Sequence, residues 1–142
     1  MILLIDTSQH EITFVALIGS DGRLLGQKSY KQKFQQSEKL LPLINDVLKK
    51  AKAKLTSLTG VAVVAGPGGF TCLRIGIATA NALAFGLGIP VIGVPAEILS
   101  NPNSFAMLTL KLFKKARPGY AVVPRYGREP NITHKKQLGY SK

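Results

Sequence analysis

Between residues 61 and 94 the chain reads strand, glycine-rich loop, helix, strand, an order that leaves few folds open. Val61-Ala62-Val63-Val64-Ala65 is a short continuous apolar run, as a strand buried on both faces requires. It delivers into Gly66-Pro67-Gly68-Gly69-Phe70. From Thr71 a helix is expected to about Phe85, where Gly86-Leu87-Gly88 stops it, and Pro90-Val91-Ile92-Gly93-Val94 returns as a strand. Such a unit pairs its strands in parallel through a right-handed crossover. Residues 75–96 carry no charge and are long enough to raise the question of a membrane span. Thr79, Asn81 and the breakers Gly86, Gly88 and Pro90 divide the stretch into helix, turn and strand, so no span is expected.

The residues before this unit extend the sheet. Ile2-Leu3-Leu4-Ile5 is another doubly buried strand, ending in the polar Asp6-Thr7-Ser8. Alternation at Ile12, Phe14, Ala16 and Ile18, then Asp21-Gly22 before Leu24-Leu25, predicts antiparallel strands over about 11–18 and 22–31. The first three strands therefore form a meander. Ser37 is placed to cap a helix of about 37–55, with Glu38 favouring its positive end. Its apolar residues, from Leu40 and Leu41 to Ala51 and Leu55, spread over an arc of about 160°. That is wider than a sheet alone covers. The second helix is apolar or small nearly all round, which predicts burial on more than one side, and Gly76, Ala80 and Ala84 form a stripe that admits a close neighbour. Beyond Val94 the pattern weakens to a short basic helix over 105–116 and an extended basic end over 117–142. No internal repeat is present.

Several residues bear on chemistry. The Gly66–Phe70 loop precedes a helix N-terminus, where backbone N–H groups can cradle an anion. It lacks both the Gly-Lys-Ser/Thr of a phosphate loop and the dinucleotide glycine spacing, so a tight turn is the simpler reading. Asp6-Thr7 stands at a strand end, where α/β folds place catalytic carboxylates, or where an aspartate caps nearby N–H groups. His10 and His134 are isolated and Cys72 is the only cysteine, so neither a metal site nor an internal disulfide is expected. Cys72, at a helix start, reads as a small buried side chain, and Arg74 as a solvated cation or an anion contact. A net charge of +12 attracts polyanions and points weakly towards RNA. The single cysteine and the lack of a secretory h-region fit a cytoplasmic protein.

Three segments together resemble the TsaB/YeaZ family: Ile5-Asp6-Thr7-Ser8, Gly66-Pro67-Gly68-Gly69-Phe70-Thr71-Cys72-Leu73-Arg74-Ile75-Gly76, and Gly88-Ile89-Pro90-Val91-Ile92-Gly93-Val94. The family's loop usually reads Gly-Pro-Gly-Ser-Phe-Thr-Gly-Leu-Arg-Ile-Gly, from which Gly69 and Cys72 depart. Gln36-Ser37-Glu38-Lys39-Leu40-Leu41-Pro42 also looks like the family's first helix start, without its frequent histidine.

The resemblance implies an actin-like/Hsp70-like (ribonuclease-H-like) α/β half-fold, a three-strand meander followed by parallel strands with helices. It implies a TsaB-like domain over residues 1–100, with a short basic segment over 101–142 in place of the usual second domain. Val123 to Thr133 looks like the family's closing segment, reached after a deletion. It also implies a non-catalytic partner subunit, activating TsaD for threonylcarbamoyl transfer to adenosine 37 of tRNA. The interface implied is a helix bundle using Leu40, Leu41, Ile44, Leu48, Arg74, Ile75, Ala78 and Ala82, which two copies of the chain alone would share. TsaE and tRNA would join in the complex. No cofactor is implied for this chain by itself; ATP would sit at a composite site between subunits, with Asp6, Thr7, Gly66, Gly68 and Gly69 as the remnant of a phosphate loop. Two other classes stay open: a small ATPase-like enzyme using those same five residues, and a basic tRNA-binding module using Lys111, Lys114, Lys115, Arg117, Lys135 and Lys136.

Overall fold

The structure, a computed structural model, describes residues 1–33 and 35–126. Five strands form one mixed sheet: β1 (Ile2–Gln9), β2 (Ile12–Ile18), β3 (Leu24–Lys31), β4 (Gly60–Gly66) and β5 (Val91–Pro95), in the order β3-β2-β1-β4-β5. β1, β2 and β3 pair antiparallel, and β1, β4 and β5 pair parallel. This is the meander plus crossover that the sequence predicts. The helices are α1 (Gln36–Lys50), α2 (Phe70–Leu87) and α3 (Phe105–Phe113), with short 3-10 turns at Leu55–Ser57 and Ala96–Ser100.

Strand alternation sorts the core into two layers. Leu3, Ile5, Val15, Leu17, Val61 and Val63 face α1 and α2. Ile2, Leu4, Ala16, Ile18, Ala62 and Val64 face the second 3-10 turn and α3. The weak pattern beyond Val94 thus supplies the other cover: Phe105 meets Phe14 edge-on at 6.0 Å between centroids, and Phe113 lies against Gly60. After a turn at Pro118–Gly119, where Gly119 has a φ of 95°, residues 120–126 run on without joining the sheet. Val122 is nonetheless fastened, since its N–H donates to the Asn81 side-chain oxygen (2.9 Å) and its carbonyl accepts from the Asn81 amide (3.0 Å). The basic end of the expected extended segment, with Lys135 and Lys136, lies outside the described residues, as do His134 and most of the closing segment.

Two expectations change. Ser37 does not cap α1: Gln35 holds the N-cap position without a side-chain bond, and Ser37 is exposed in the first turn. The helix ends at Lys50 rather than near 55. Ala53 N–H donates to Leu48 O (2.9 Å) and Lys52 N–H to Lys49 O (3.0 Å), the paired bonds of a Schellman stop. The left-handed residue of that stop is Lys52, with φ of 53°. Within the chain α2 is buried along one side, and its remaining apolar surface lies open. Gly76, Ala80 and Ala84, the small stripe, lie in the chain's own core with Leu73 and Ile77, whereas Phe85 is 91% exposed and Ala78 and Ala82 are open. By length and apolarity α2 passes for a membrane-crossing helix, but here it is one layer of an α/β sandwich.

Candidate functional site

The glycine loop is built by close backbone approach. Gly66 has a φ of 142°, and the Arg125 carbonyl occupies the space a Cβ would need, with Arg125 N–H donating to Ala65 O at 2.6 Å. A Cβ on Gly68 would stand 2.6 Å from Ser8 O, and one on Gly69 2.8 Å from His10 Nε2. Gly69 N–H donates to Ser8 O at 3.2 Å. Part of the loop's donor capacity is therefore spent inside the chain.

Asp6 and Thr7, adjacent in sequence, serve opposite faces of the sheet. Asp6 accepts the Ser8 N–H at 2.8 Å and lines a cavity of about 340 Å³ on the α3 side, with Phe14, Ser29, Leu99 and Phe105. Thr7 is buried under α2, where its hydroxyl donates to Cys72 O (2.5 Å) and accepts from Gly76 N–H (3.1 Å). The structure thus brings Thr7 to the first turns of α2 and Gly68 to the neighbouring Ser8, while Asp6 turns away from both.

Two pairings have no sequence signal. Gln36, buried at the start of α1, donates its amide to the carbonyls of Thr7 (3.4 Å), Gln9 and Ile12 (3.2 Å), closing the β1–β2 turn onto α1. His10 Nδ1 lies 3.2 Å from Cys72 Sγ across 62 residues, beside a cavity of about 350 Å³ lined also by Gln36, Thr71 and Ile75. Burial pushes the Cys72 thiol above its ordinary value. Among the described residues no group of three or more His, Cys, Asp or Glu could hold a metal ion.

The eight helix residues of the expected interface divide by burial. Leu40, Ile44 and Leu48 are 1–5% exposed and packed in the α1–α2 core layer, so they support this surface from beneath rather than form it. The reason is register: α1 turns these three inward with Leu43 and Val47, and only Leu41, at 58% exposure, points out. On α2, Ala78 and Ala82 are exposed and Ile75 is half-buried. Arg74 is exposed but engaged: its Nε donates to the Tyr126 hydroxyl (3.0 Å), and Tyr126 packs on Phe70 at 4.3 Å between centroids. Arg74, Ala78, Ala82 and Phe85 follow one another at helical spacing as an outward ridge, bordered by a small groove of Leu41, Leu55 and Leu83. Phe85 is the ridge residue that the sequence alone did not single out.

Comparisons with known proteins agree with this architecture. The family model for TsaD, tRNA N6-adenosine threonylcarbamoyltransferase, matches residues 24–98. The chain is 40% identical over 60 residues to the tRNA threonylcarbamoyladenosine biosynthesis protein TsaB of Escherichia coli, covering 42% of this chain and 26% of that protein. It is 33% identical over 128 residues to TsaB of Buchnera aphidicola subsp. Schizaphis graminum, covering 90% of this chain and 57% of the relative. The solved structure of YeaZ from Pseudomonas aeruginosa superimposes with a TM-score of 0.65 at 35% identity, covering 72% of this chain and 47% of that one. The chain therefore spans at most 57% of the length of these relatives. The shared fold is the actin-like α/β half-fold.

Proposed function

Because the chain belongs to the TsaB/YeaZ family, we propose that it is a non-catalytic partner subunit in tRNA threonylcarbamoyladenosine synthesis, docking through its α1–α2 face onto the TsaD subunit in the cytoplasm. The observation that carries this reading is the ridge Ala78–Ala82–Phe85 beside Leu41. A phenylalanine left 91% exposed next to small residues on an 18-residue apolar helix is surface that water disfavours. Small residues let a second helix approach closely, and Phe85 offers an anchor of the kind that dominates interface energy. A non-catalytic role is favoured by how the loop region is used. Gly69 N–H is given to Ser8, Thr7 clamps α2, and the Asp6 carboxylate accepts from Ser8. ATP and TsaE then act in the assembled complex, and two copies of the isolated chain share the ridge as a homodimer.

The test is size-exclusion chromatography of the full chain mixed with its TsaD. A stable complex is expected, and Ala82→Glu or Phe85→Glu, both at exposed positions, should abolish it with the circular dichroism spectrum unchanged. Complex formation that survives both substitutions, or no complex with the parent chain, would overturn the proposal.

A further inference from the structure

The end of the sheet opposite the glycine loop carries charge that the docking ridge does not use. β1 and β4 run parallel with Ile2 beside Gly60, so both begin at this end. α1 starts near the far end, where Gln36 holds Thr7 and Ile12, and runs back so that its C-terminus reaches this one. On the opposite face α3 starts against Phe14, the partner of Asp6, and finishes with Phe113 against Gly60. Two helices on opposite layers therefore end beside the same strand termini.

Both ends are basic. Lys49, Lys50, Lys52 and Lys54 follow one another out of α1, and all four are exposed. Lys111, Lys114, Lys115 and Arg117 do the same at α3. Two acidic residues on or beside these helices are already matched: Asp46, one turn before Lys49, to Lys28 at 2.8 Å, and Asp21, in the turn that meets α3, to Arg23 at 3.3 Å. Cations in a last helical turn are common, because they complement the helix dipole. Lys52 is different. It lies past the helix, in the left-handed position of the Schellman stop where glycine is the unstrained choice, and it is the one non-glycine residue with positive φ among the described residues. Backbone strain kept at an exposed lysine inside a basic cluster points to a use for that side chain.

We propose that this end of the molecule is a docking surface for the phosphate backbone of nucleic acid, gripped from both layers without base readout. The two arms stand roughly two helix diameters apart, about 20 Å. A single phosphate cannot bridge that gap, and a folded polynucleotide can. An anionic membrane fits less well, since the large apolar side chains exposed closest to the two arms line clefts of the chain's own fold: Leu55 the groove under Leu41 and Leu83, and Leu112 the cavity beside Val122 and Val123. The surface is independent of the TsaD-docking ridge, so either proposal can fail while the other stands.

The experiment is fluorescence-anisotropy binding of the full chain to an unmodified tRNA transcript across a salt series, with duplex DNA and phosphatidylserine vesicles as parallel probes. With about five phosphates neutralised, the tRNA affinity should fall by two to three orders of magnitude between about 50 and 200 mM salt. Duplex DNA should behave comparably, because lysine reads the phosphate and not the sugar, and vesicles should bind far more weakly. Replacing Lys49, Lys50 and Lys54 by Ala, or Lys111, Lys114 and Lys115 by Ala, should each lower the log–log slope by about 2–3. Lys52→Gly should raise the folded-to-unfolded ratio about two- to fivefold by relieving strain, and lower the slope by about 1. A slope unchanged in either triple variant, a Lys52→Gly chain that gains stability and binds as the parent does, or vesicle binding equal to tRNA binding would overturn the proposal.

Discussion

Replacing Gly76 with alanine should be strongly destabilising in the parent chain and nearly harmless once Thr7 is shortened. Gly76 lies in the second turn of α2, where it faces β1, and a Cβ there would stand 2.5 Å from Thr7 Oγ1, far inside contact distance. Thr7 cannot yield freely, because it is 1% exposed and its hydroxyl bridges Cys72 O and Gly76 N–H. Gly76→Ala must therefore break both bonds or push α2 off the strand. Two buried hydrogen bonds and local overpacking cost about 4 kcal/mol, offset by about 1 for replacing a helical glycine, leaving about 3. Thr7→Ala loses the same bonds and leaves a small void, for about 2–3 kcal/mol. In the double variant the lost bonds count once. The nearest atom left to the new methyl is the residue 7 Cβ at 3.4 Å, an ordinary contact, and the methyl fills the void. The double variant should then cost about 1–2 kcal/mol where the singles sum to about 5–6. Equilibrium urea unfolding of the four chains at constant m measures this directly, each single variant lowering the midpoint by about 1.5 M. Additivity within about 0.5 kcal/mol would refute the close approach of α2 and β1 as the reason for a glycine here.

Three further outcomes follow from the same region. Gln36→Ala should lower the urea midpoint by an amount equivalent to about 2–4 kcal/mol, because it strands carbonyls of Thr7, Gln9 and Ile12 that share one buried amide; Gln36→Glu, which cannot donate to them, should do no better. The Cys72 thiol should react with iodoacetamide about a hundredfold more slowly in the native chain than in urea, since it is buried and its pKa is raised by desolvation. For a thiol whose folded pKa lies above its unfolded one, the native state holds the proton longer. This stabilisation is complete below the unfolded pKa of about 8.5 and is lost as pH rises through and beyond it. The parent should therefore lose more stability than Cys72→Ala between about pH 8 and pH 10.

Much of the fold was legible because its signals are local. All five strands and the three helices declare themselves through patterns local to short stretches, and turn and stop positions such as Asp21-Gly22 and Gly88 follow from backbone chemistry. The 160° arc on α1 and the all-apolar α2 also announced surface in excess of what one sheet covers, and Leu41 and Phe85 bear that out. The end of α1 was harder to read, because its stop uses a lysine where glycine is the recognisable signal.

By itself the sequence determined the order of elements, the strand–loop–helix–strand unit and the resemblance that places the chain in its family, since each depends on residues close together along the chain. Only the tertiary structure decided which way side chains face. Asp6 and Thr7 were parted by strand alternation, Leu40, Ile44 and Leu48 were claimed by the core while Leu41 was left outside, and His10 met Cys72. Those outcomes turn on the rotation of an element against its neighbours, which is set by packing the whole sheet at once and leaves no mark in any short stretch of residues.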